Sequence, residues 1–181
     1  MRVTNNTDRY GWLSILIHWL TAIVVIGLFI VGLWMVELTY YDDWYKEAPF
    51  IHKSLGVLIF FLTLFRLAWR YLTPKPSALP NHTRFEKVAA RMTHVIIYLL
   101  LFSIMISGYL ISTADGRSVD VFNLFSIPAT ISDIDQQEDI AGQVHLVLAI
   151  ILMVLVSIHA LAAIKHHFID KDRTLRRMFG Q

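Results

Sequence analysis

The chain has 181 residues, 56% of them hydrophobic, with 16 Lys and Arg against 14 Asp and Glu and no cysteine. A mean hydropathy of +0.54 places it among membrane proteins and excludes a soluble domain. Without cysteine there is no disulfide frame, no thiolate metal centre, no iron–sulfur cluster ligated by this chain and no covalently attached haem, so any cofactor is held by other groups.

Four stretches are long and apolar enough to cross a bilayer, which predicts an all-α, four-helix transmembrane bundle forming a single membrane domain over residues 1–181. The first runs over about residues 12–36, after a short polar head carrying Asp8 and Arg9. It lacks a small-residue cleavage site, so it reads as a retained helix and not a signal peptide. Tyr40 to Pro49 is aromatic and acidic, as an interfacial belt would be. The second span covers about 50–71, and the linker from Thr73 to Arg91, with Pro74, Pro76 and Pro80, joins antiparallel helices. The third covers about 92–111. The connection 112–142 contains an apolar middle, Val121 to Ile131 around Pro128, which is predicted to lie on or dip into the membrane interface. Ser132 follows as an expected N-cap with Asp135 three residues on, starting the fourth helix ahead of its apolar span at about 143–164. A polar tail occupies 165–181, and no internal repeat or low-complexity tract is evident.

The net charge of +2 hides a dipolar arrangement. Thirteen of the basic residues, from Arg2 and Arg9 through Arg66, Arg70, Lys75, Arg84, Lys87 and Arg91 to Lys165, Lys171, Arg173, Arg176 and Arg177, fall at the N-terminus, the middle connection and the C-terminus. Only Lys46, Lys53 and Arg117 accompany the other two connections, which hold ten of the 14 acidic residues instead. The positive-inside rule predicts both termini in the cytoplasm, N-in and C-in. Basic residues flanking membrane helices are topology determinants and give no support to nucleic-acid binding.

Histidine carries the chemistry. His145 and His159 are fourteen residues apart on the fourth span, so both leave one helix face, roughly 21 Å apart along the axis. Imidazole in hydrocarbon is costly unless used. His18, some six residues into the first span, matches the depth of His159; His52, at the start of the second, matches His145. Two pairs of imidazoles from different helices, each at one level, are what two six-coordinate haems stacked across a four-helix bundle require. The bland reading of any single histidine is a core residue bonded to a carbonyl. His94, at the inner edge of the third span, is open to three roles: replacing His18 or His159 as a ligand, bonding a propionate, or binding a quinone head group. Gly56, one turn after His52, and Gly32, fourteen after His18, would let a macrocycle approach the backbone, although small residues at helix crossings give the same pattern. Arg66, fourteen after His52, points the same way at the inner level and suits an inner haem propionate; Lys53 suits the outer one or lipid headgroups. His82, His166 and His167 are expected in water or among headgroups.

These residues resemble the bacterial cytochrome b561 family, which includes the cytochrome b subunits of nickel–iron hydrogenases. The matching stretches are Ile17-His18-Trp19, His52-Lys53-Ser54-Leu55-Gly56, Arg66-Leu67, Thr93-His94, Ser107-Gly108-Tyr109 and the His145/His159 pair. The resemblance implies two haem b groups, electron transfer linked to the quinone pool, and axial ligands at His18, His52, His145 and His159, with His18 and His159 on the inner iron and His52 and His145 on the outer. The expected function is a transmembrane electron conduit in the bacterial inner membrane. Ubiquinone is the expected redox partner, lipid surrounds the chain, a periplasmic redox protein is a further partner, and the oligomeric state is open. A superoxide:ubiquinone oxidoreductase is the second reading; the acidic outer connections oppose an anionic substrate except at Lys53 and Arg117. A histidine-based metal-binding or transport protein is the third, against which stands the lack of carboxylates inside the spans. For the quinone, the outer level offers Lys53 beside His52 with the connection 112–142 as a lid; the inner level offers His94 and Arg91.

Overall fold

The computed structural model describes residues 2–79 and 81–181; Pro80, expected to help shape the linker, lies outside the described residues. The elements are α1 (Trp12–Met35), α2 (Glu47–Leu72), α3 (Arg84–Ser112), β1 (Val119–Val121), β2 (Phe125–Ile127), α4 (Gln137–Phe168) and α5 (Thr174–Arg177). The four long helices satisfy their own backbone groups, as a hydrocarbon environment demands. Their large apolar side chains face outward: Ile23 is 66% exposed, Ile30 61% and Leu161 63%. That outward face is what a lipid-surrounded bundle presents, and the chain is a multi-pass membrane protein.

α1 packs on α2 and α3 on α4, giving two antiparallel hairpins that meet sparsely at α2 and α3 and more closely where β1 of the α3–α4 connection packs on α2. One end of the bundle carries the α1–α2 and α3–α4 connections and is termed the turn end. The other carries both termini and the α2–α3 connection and is termed the terminal end. Leu100, Leu101 and Leu152 form a small buried core within the second hairpin, which Val25 of α1 joins.

Several boundaries differ from those expected. α3 starts at Arg84, eight residues before the apolar span, because Thr83 and Glu86 form a reciprocal capping box. α2 starts at Glu47 and places Pro49 in its first turn, where an amide has no intrahelical partner. α4 starts at Gln137, and Ser132 is not its N-cap. The Ser132 hydroxyl donates to Asp133 (2.9 Å), and the capping position is Gln136 in a left-handed conformation with no side-chain cap. The apolar stretch after α3 forms a β-hairpin, with Val121 paired to Phe125 and positive φ at Phe122 and Asn123. Val119 and Val121 are buried, and Ser54 of α2 pins the hairpin by donating to the Asp120 carbonyl (3.3 Å) and accepting from the Phe122 amide (3.1 Å).

The terminal end is tied together by polar contacts. Asn5 accepts from Gly11 N (2.8 Å) and Ser14 Oγ (2.7 Å) and donates to Thr73 Oγ1 (3.0 Å). The C-terminal segment folds back on α1: Trp19 Nε1 donates to the Met178 carbonyl (2.8 Å), and its ring stacks on Phe179 at 5.2 Å.

Candidate functional site

Between the hairpins, towards the turn end, lies an apolar cavity of about 1370 Å³ lined by all four long helices. That volume exceeds the usual 300–1,000 Å³ of a small-molecule pocket. His52 of α2 and His145 of α4 face each other across it, with ring centroids 6.2 Å apart. Two imidazoles coordinating one metal from opposite faces would have centroids about 6.3 Å apart, given metal–nitrogen bonds of about 2.0–2.1 Å and about 1.1 Å from each nitrogen to its ring centre.

Both rings are seated by the neighbouring helix of their own hairpin. A Cβ at position 32 would lie 3.2 Å from His52 Cε1, and one at position 108 would lie 3.1 Å from His145 Cε1. Gly32 and Gly108 are therefore glycine because a ring occupies the space of their side chains. Gly56 differs: a Cβ there meets nothing within 4 Å and would project into open space at the cavity wall.

Hydrogen bonding sets the tautomers. His145 Nδ1–H donates to the Ile104 carbonyl (2.9 Å), with Ser107 Oγ 3.2 Å away and itself donating to the same carbonyl (2.9 Å). A carbonyl only accepts, so Nδ1 carries the proton and Nε2 keeps its lone pair, the form a metal ligand needs. His52 Nδ1 is buried without a hydrogen-bond partner, and the Leu28 carbonyl approaches it outside hydrogen-bond geometry. An unpartnered buried imidazole on an apolar cavity is a group placed for use.

The two hairpins repeat one another. Leu28 and Gly32 stand to His52 as Ile104 and Gly108 stand to His145, and each glycine is four residues after its carbonyl. Fourteen residues before the two glycines are His18 and His94; fourteen after the two histidines are Arg66 and His159. The terminal level thus carries three imidazoles and a guanidinium at the four equivalent positions. His94 and His159 meet edge to face with centroids 5.3 Å apart, and His94 Nδ1–H donates to the Ala90 carbonyl (2.7 Å). Arg66 Nη2 donates to His18 Nδ1 (2.8 Å) and lies 5.7 Å from the Tyr98 ring centroid. His18 is also within electrostatic reach of His159 and His94.

Of the other expected residues, Lys53 is exposed at the cavity rim, where Glu37, Glu138 and Asp139 also stand. Arg117 pairs with Asp115 and is not a free cation. His82 and His166 do not sit in water: their side chains are 18% and 14% exposed and both pair with Asp172. The seating residues Leu28, Ile104 and Ser107 were not singled out for this role from sequence. The signal that finds them is the repeated fourteen-residue spacing, which links glycine to histidine in both halves.

The match to known proteins spans the chain. A family model described as prokaryotic cytochrome b561 matches residues 9–181. "Cytochrome b561 homolog 2" of Escherichia coli (strain K12) is 51% identical over 181 residues, covering 100% of this chain and 96% of that protein. "Probable superoxide oxidase CybB" of Yersinia pestis is 32% identical over 175 residues, covering 94% and 95%. "Cytochrome b561 homolog 1" of Escherichia coli (strain K12) is 24% identical over 178 residues, covering 94% and 97%. With four apolar helices, paired imidazoles across an apolar cavity and this whole-length match, the chain belongs to the prokaryotic cytochrome b561 family of membrane electron-transfer proteins, which bind b-type haem.

Proposed function

We propose that the chain is a transmembrane di-haem b cytochrome of the bacterial inner membrane that carries electrons between the quinone pool and a redox partner on the periplasmic side. The observation that carries this reading is the 6.2 Å separation of the His52 and His145 rings across the cavity. Haem b, when bound, supplies reversible one-electron chemistry. The chain's own residues would supply the nitrogens that hold the iron, the apolar walls that exclude water and the charges that set each level's potential.

His52 and His145 are assigned to the outer iron, His18 and His159 to the inner. At the turn end each hairpin contributes one ring, and the same rule at the terminal level takes His18 from the first hairpin and His159 from the second. His94 belongs to the same hairpin as His159 and packs on it at 5.3 Å, short of the about 6.3 Å that opposite ligands need. The guanidinium can only donate, so His18 Nδ1 accepts from Arg66 and its Nε2 carries the proton. Ligation through Nε2 requires Arg66 to leave, and a propionate is the anion that would receive it. The two levels are roughly 21 Å apart along α4, most of the about 30 Å hydrocarbon thickness.

The basic terminal end is placed in the cytoplasm. Quinone is placed at the turn end, where Lys53 offers a cation beside His52 and the 112–142 connection covers the mouth. The 32% identity to a probable superoxide oxidase favours superoxide oxidation as a second reading. Against it, Glu37, Glu138 and Asp139 line the cavity with Lys53, and Arg117 is neutralised by Asp115, so the mouth repels an anion.

Pyridine haemochrome analysis is expected to give two haem b per chain, and one or none would refute the assignment. His52→Ala or His145→Ala is expected to remove one redox component and His18→Ala or His159→Ala the other. Loss of the same component from His18→Ala and His52→Ala would overturn the pairing.

A further inference from the structure

Away from the cavity, at the terminal end, side chains from three segments converge. His82 comes from the α2–α3 connection, His166 from the last turn of α4, and Asp170 and Asp172 from the connection to α5. His82 Nε2 is 2.9 Å from Asp172 Oδ2; His166 Nδ1 is 3.1 Å from the same oxygen and 2.8 Å from Asp170 Oδ2. The ligand-capable atoms of His82, His166 and Asp172 all lie within 4.8 Å of one another, and the two imidazoles have centroids 4.7 Å apart. The cluster is shielded, with the Asp172 side chain only 6% exposed.

Its polar contacts are not all hydrogen bonds. His166 Nδ1 is buried and makes no bond of acceptable geometry, although two carboxylate oxygens lie within 3.1 Å. The ring nitrogen, whose donor or lone-pair direction lies in the ring plane, is not aimed at either oxygen. His82 Nε2 is hydrogen-bonded to Asp172 Oδ2 (2.9 Å) with Thr174 Oγ1 3.3 Å away, whereas His166 Nδ1 converges on the same carboxylate oxygen without a donated hydrogen, which leaves it a nitrogen for a shared cation to use. In a tetrahedral site with bonds of about 2.0–2.1 Å, adjacent ligand atoms are about 3.3 Å apart, and the three ligand atoms, all within 4.8 Å of one another, reach that arrangement by small side-chain shifts.

We propose that His82 Nε2, His166 Nδ1 and Asp172 Oδ2 form a binding site for a divalent first-row transition cation of the zinc type, with water as the fourth ligand. Two imidazoles with one carboxylate suit such an ion; magnesium and calcium prefer an all-oxygen set, and copper(I) prefers sulfur. Asp172 Oδ1 accepts from the Thr174 amide (2.7 Å), which orients the carboxylate; Oδ2 accepts from His82 Nε2 (2.9 Å), so binding the ion moves the His82 proton to Nδ1 and puts the ion in place of that hydrogen. Asp170 pairs with Lys165 at 2.7 Å and stays outside the ligand set, where its charge adds to the attraction for a cation. The bound ion joins the α2–α3 connection, α4 and the C-terminal segment, whose Met178 and Phe179 hold Trp19 beside His18. It therefore clamps the segment that closes the terminal level of the bundle.

The test uses the full chain in detergent with its haem in place, so that histidines coordinating iron do not bind the probe. After chelation, Zn²⁺ is titrated against a competing chromophoric chelator, and bound metal is counted by elemental analysis. One Zn²⁺ per chain is expected, with at least a tenfold weaker affinity in His82→Gln and in His166→Gln and no change in Lys171→Gln. Zinc X-ray absorption on the unsubstituted protein, which needs no variant to fold, is expected to show four nitrogen and oxygen neighbours including imidazole. Less than 0.1 equivalent bound, or equal affinity in His82→Gln and the unsubstituted chain, would overturn the site and leave an ion-pair network only.

Discussion

Gly108→Ala is expected to damage the turn-end site without unfolding the protein. The new methyl would lie 3.1 Å from His145 Cε1 and 3.3 Å from Nδ1, whereas carbon atoms rest at about 3.5–4.0 Å. The ring must therefore move by about 0.5 Å, which stretches the 2.9 Å Nδ1–H bond to Ile104 towards breaking. Losing that bond costs about 1 kcal/mol, while alanine in place of glycine inside a helix returns about the same. Net stability should change little, but the ring that offers Nε2 to the cavity is displaced, and its tautomer is no longer fixed. The expected result is a fall in haem content towards half, with the remaining component unshifted in a redox titration. Gly32→Ala should act in the same way through His52, 3.2 Å from the new atom. Gly27→Ala is the control, because nothing lies within 4 Å of a Cβ there and the residue does not line the cavity. If Gly108→Ala and Gly27→Ala gave the same haem content and the same midpoints, the seating role of Gly108 would be wrong.

Arg66→Gln is expected to lower the midpoint of the inner component by tens of millivolts, the scale of removing one unit charge at an effective dielectric constant of about 20; an unchanged midpoint counts against its placement beside the inner haem. Lys53→Ala is expected to slow quinol-driven haem reduction while His94→Ala leaves it intact, both with full haem content, and the reverse pattern moves the quinone site to the terminal end. Near the turn end, the Thr39 hydroxyl and amide both donate to Asp42 Oδ2 at 2.7 Å and hold its carboxyl below the ordinary value of 3.8. A carboxyl with a lowered folded pKa stabilises its turn above the ordinary value and loses that contribution as pH falls through the lowered one. The Thr39 amide should therefore keep its exchange protection down to about pH 4 and lose it below, and Asp42→Asn should remove most of that pH dependence; a pH-independent protection factor would contradict this.

The bundle was legible because hydrocarbon leaves few choices: a run of about 20 apolar residues in a cysteine-free chain has to be a helix, and helical periodicity fixes which histidines share a face. What sequence did not reveal depended on competition between neighbours. Ser132 had the look of a cap, but Asp133 takes its hydroxyl. The β-hairpin hid inside an apolar run because its turn uses Phe122 and Asn123 at positive φ, with no glycine to mark it. The capping box of Thr83 and Glu86 was readable in principle, but it follows a proline-rich stretch that argued for a loop. Gly108 was noticed only as part of a motif, since nothing local says that a ring from α4 will fill its side-chain space. The same holds for His82 and Asp172, ninety residues apart, whose pairing depends on the C-terminal segment folding back.

The repeat between hairpins explains why the two levels are chemically unequal. At the turn end the equivalent positions both carry histidine, so the rings meet as a near-symmetric pair, each beside a carbonyl of its own hairpin. At the terminal level the position equivalent to His159 is Arg66, and in the proposed ligation the missing imidazole comes from α1 as His18. That substitution brings a fixed positive charge to the terminal level, with Arg70 also 5.9 Å from the Tyr98 ring, while the cavity rim at the turn end carries three carboxylates and Lys53. A positive surrounding favours the reduced state of a nearby redox centre and a negative one the oxidised state. Under the proposed di-haem reading, this unequal charge would give a redox group held at the terminal level the higher potential of the two.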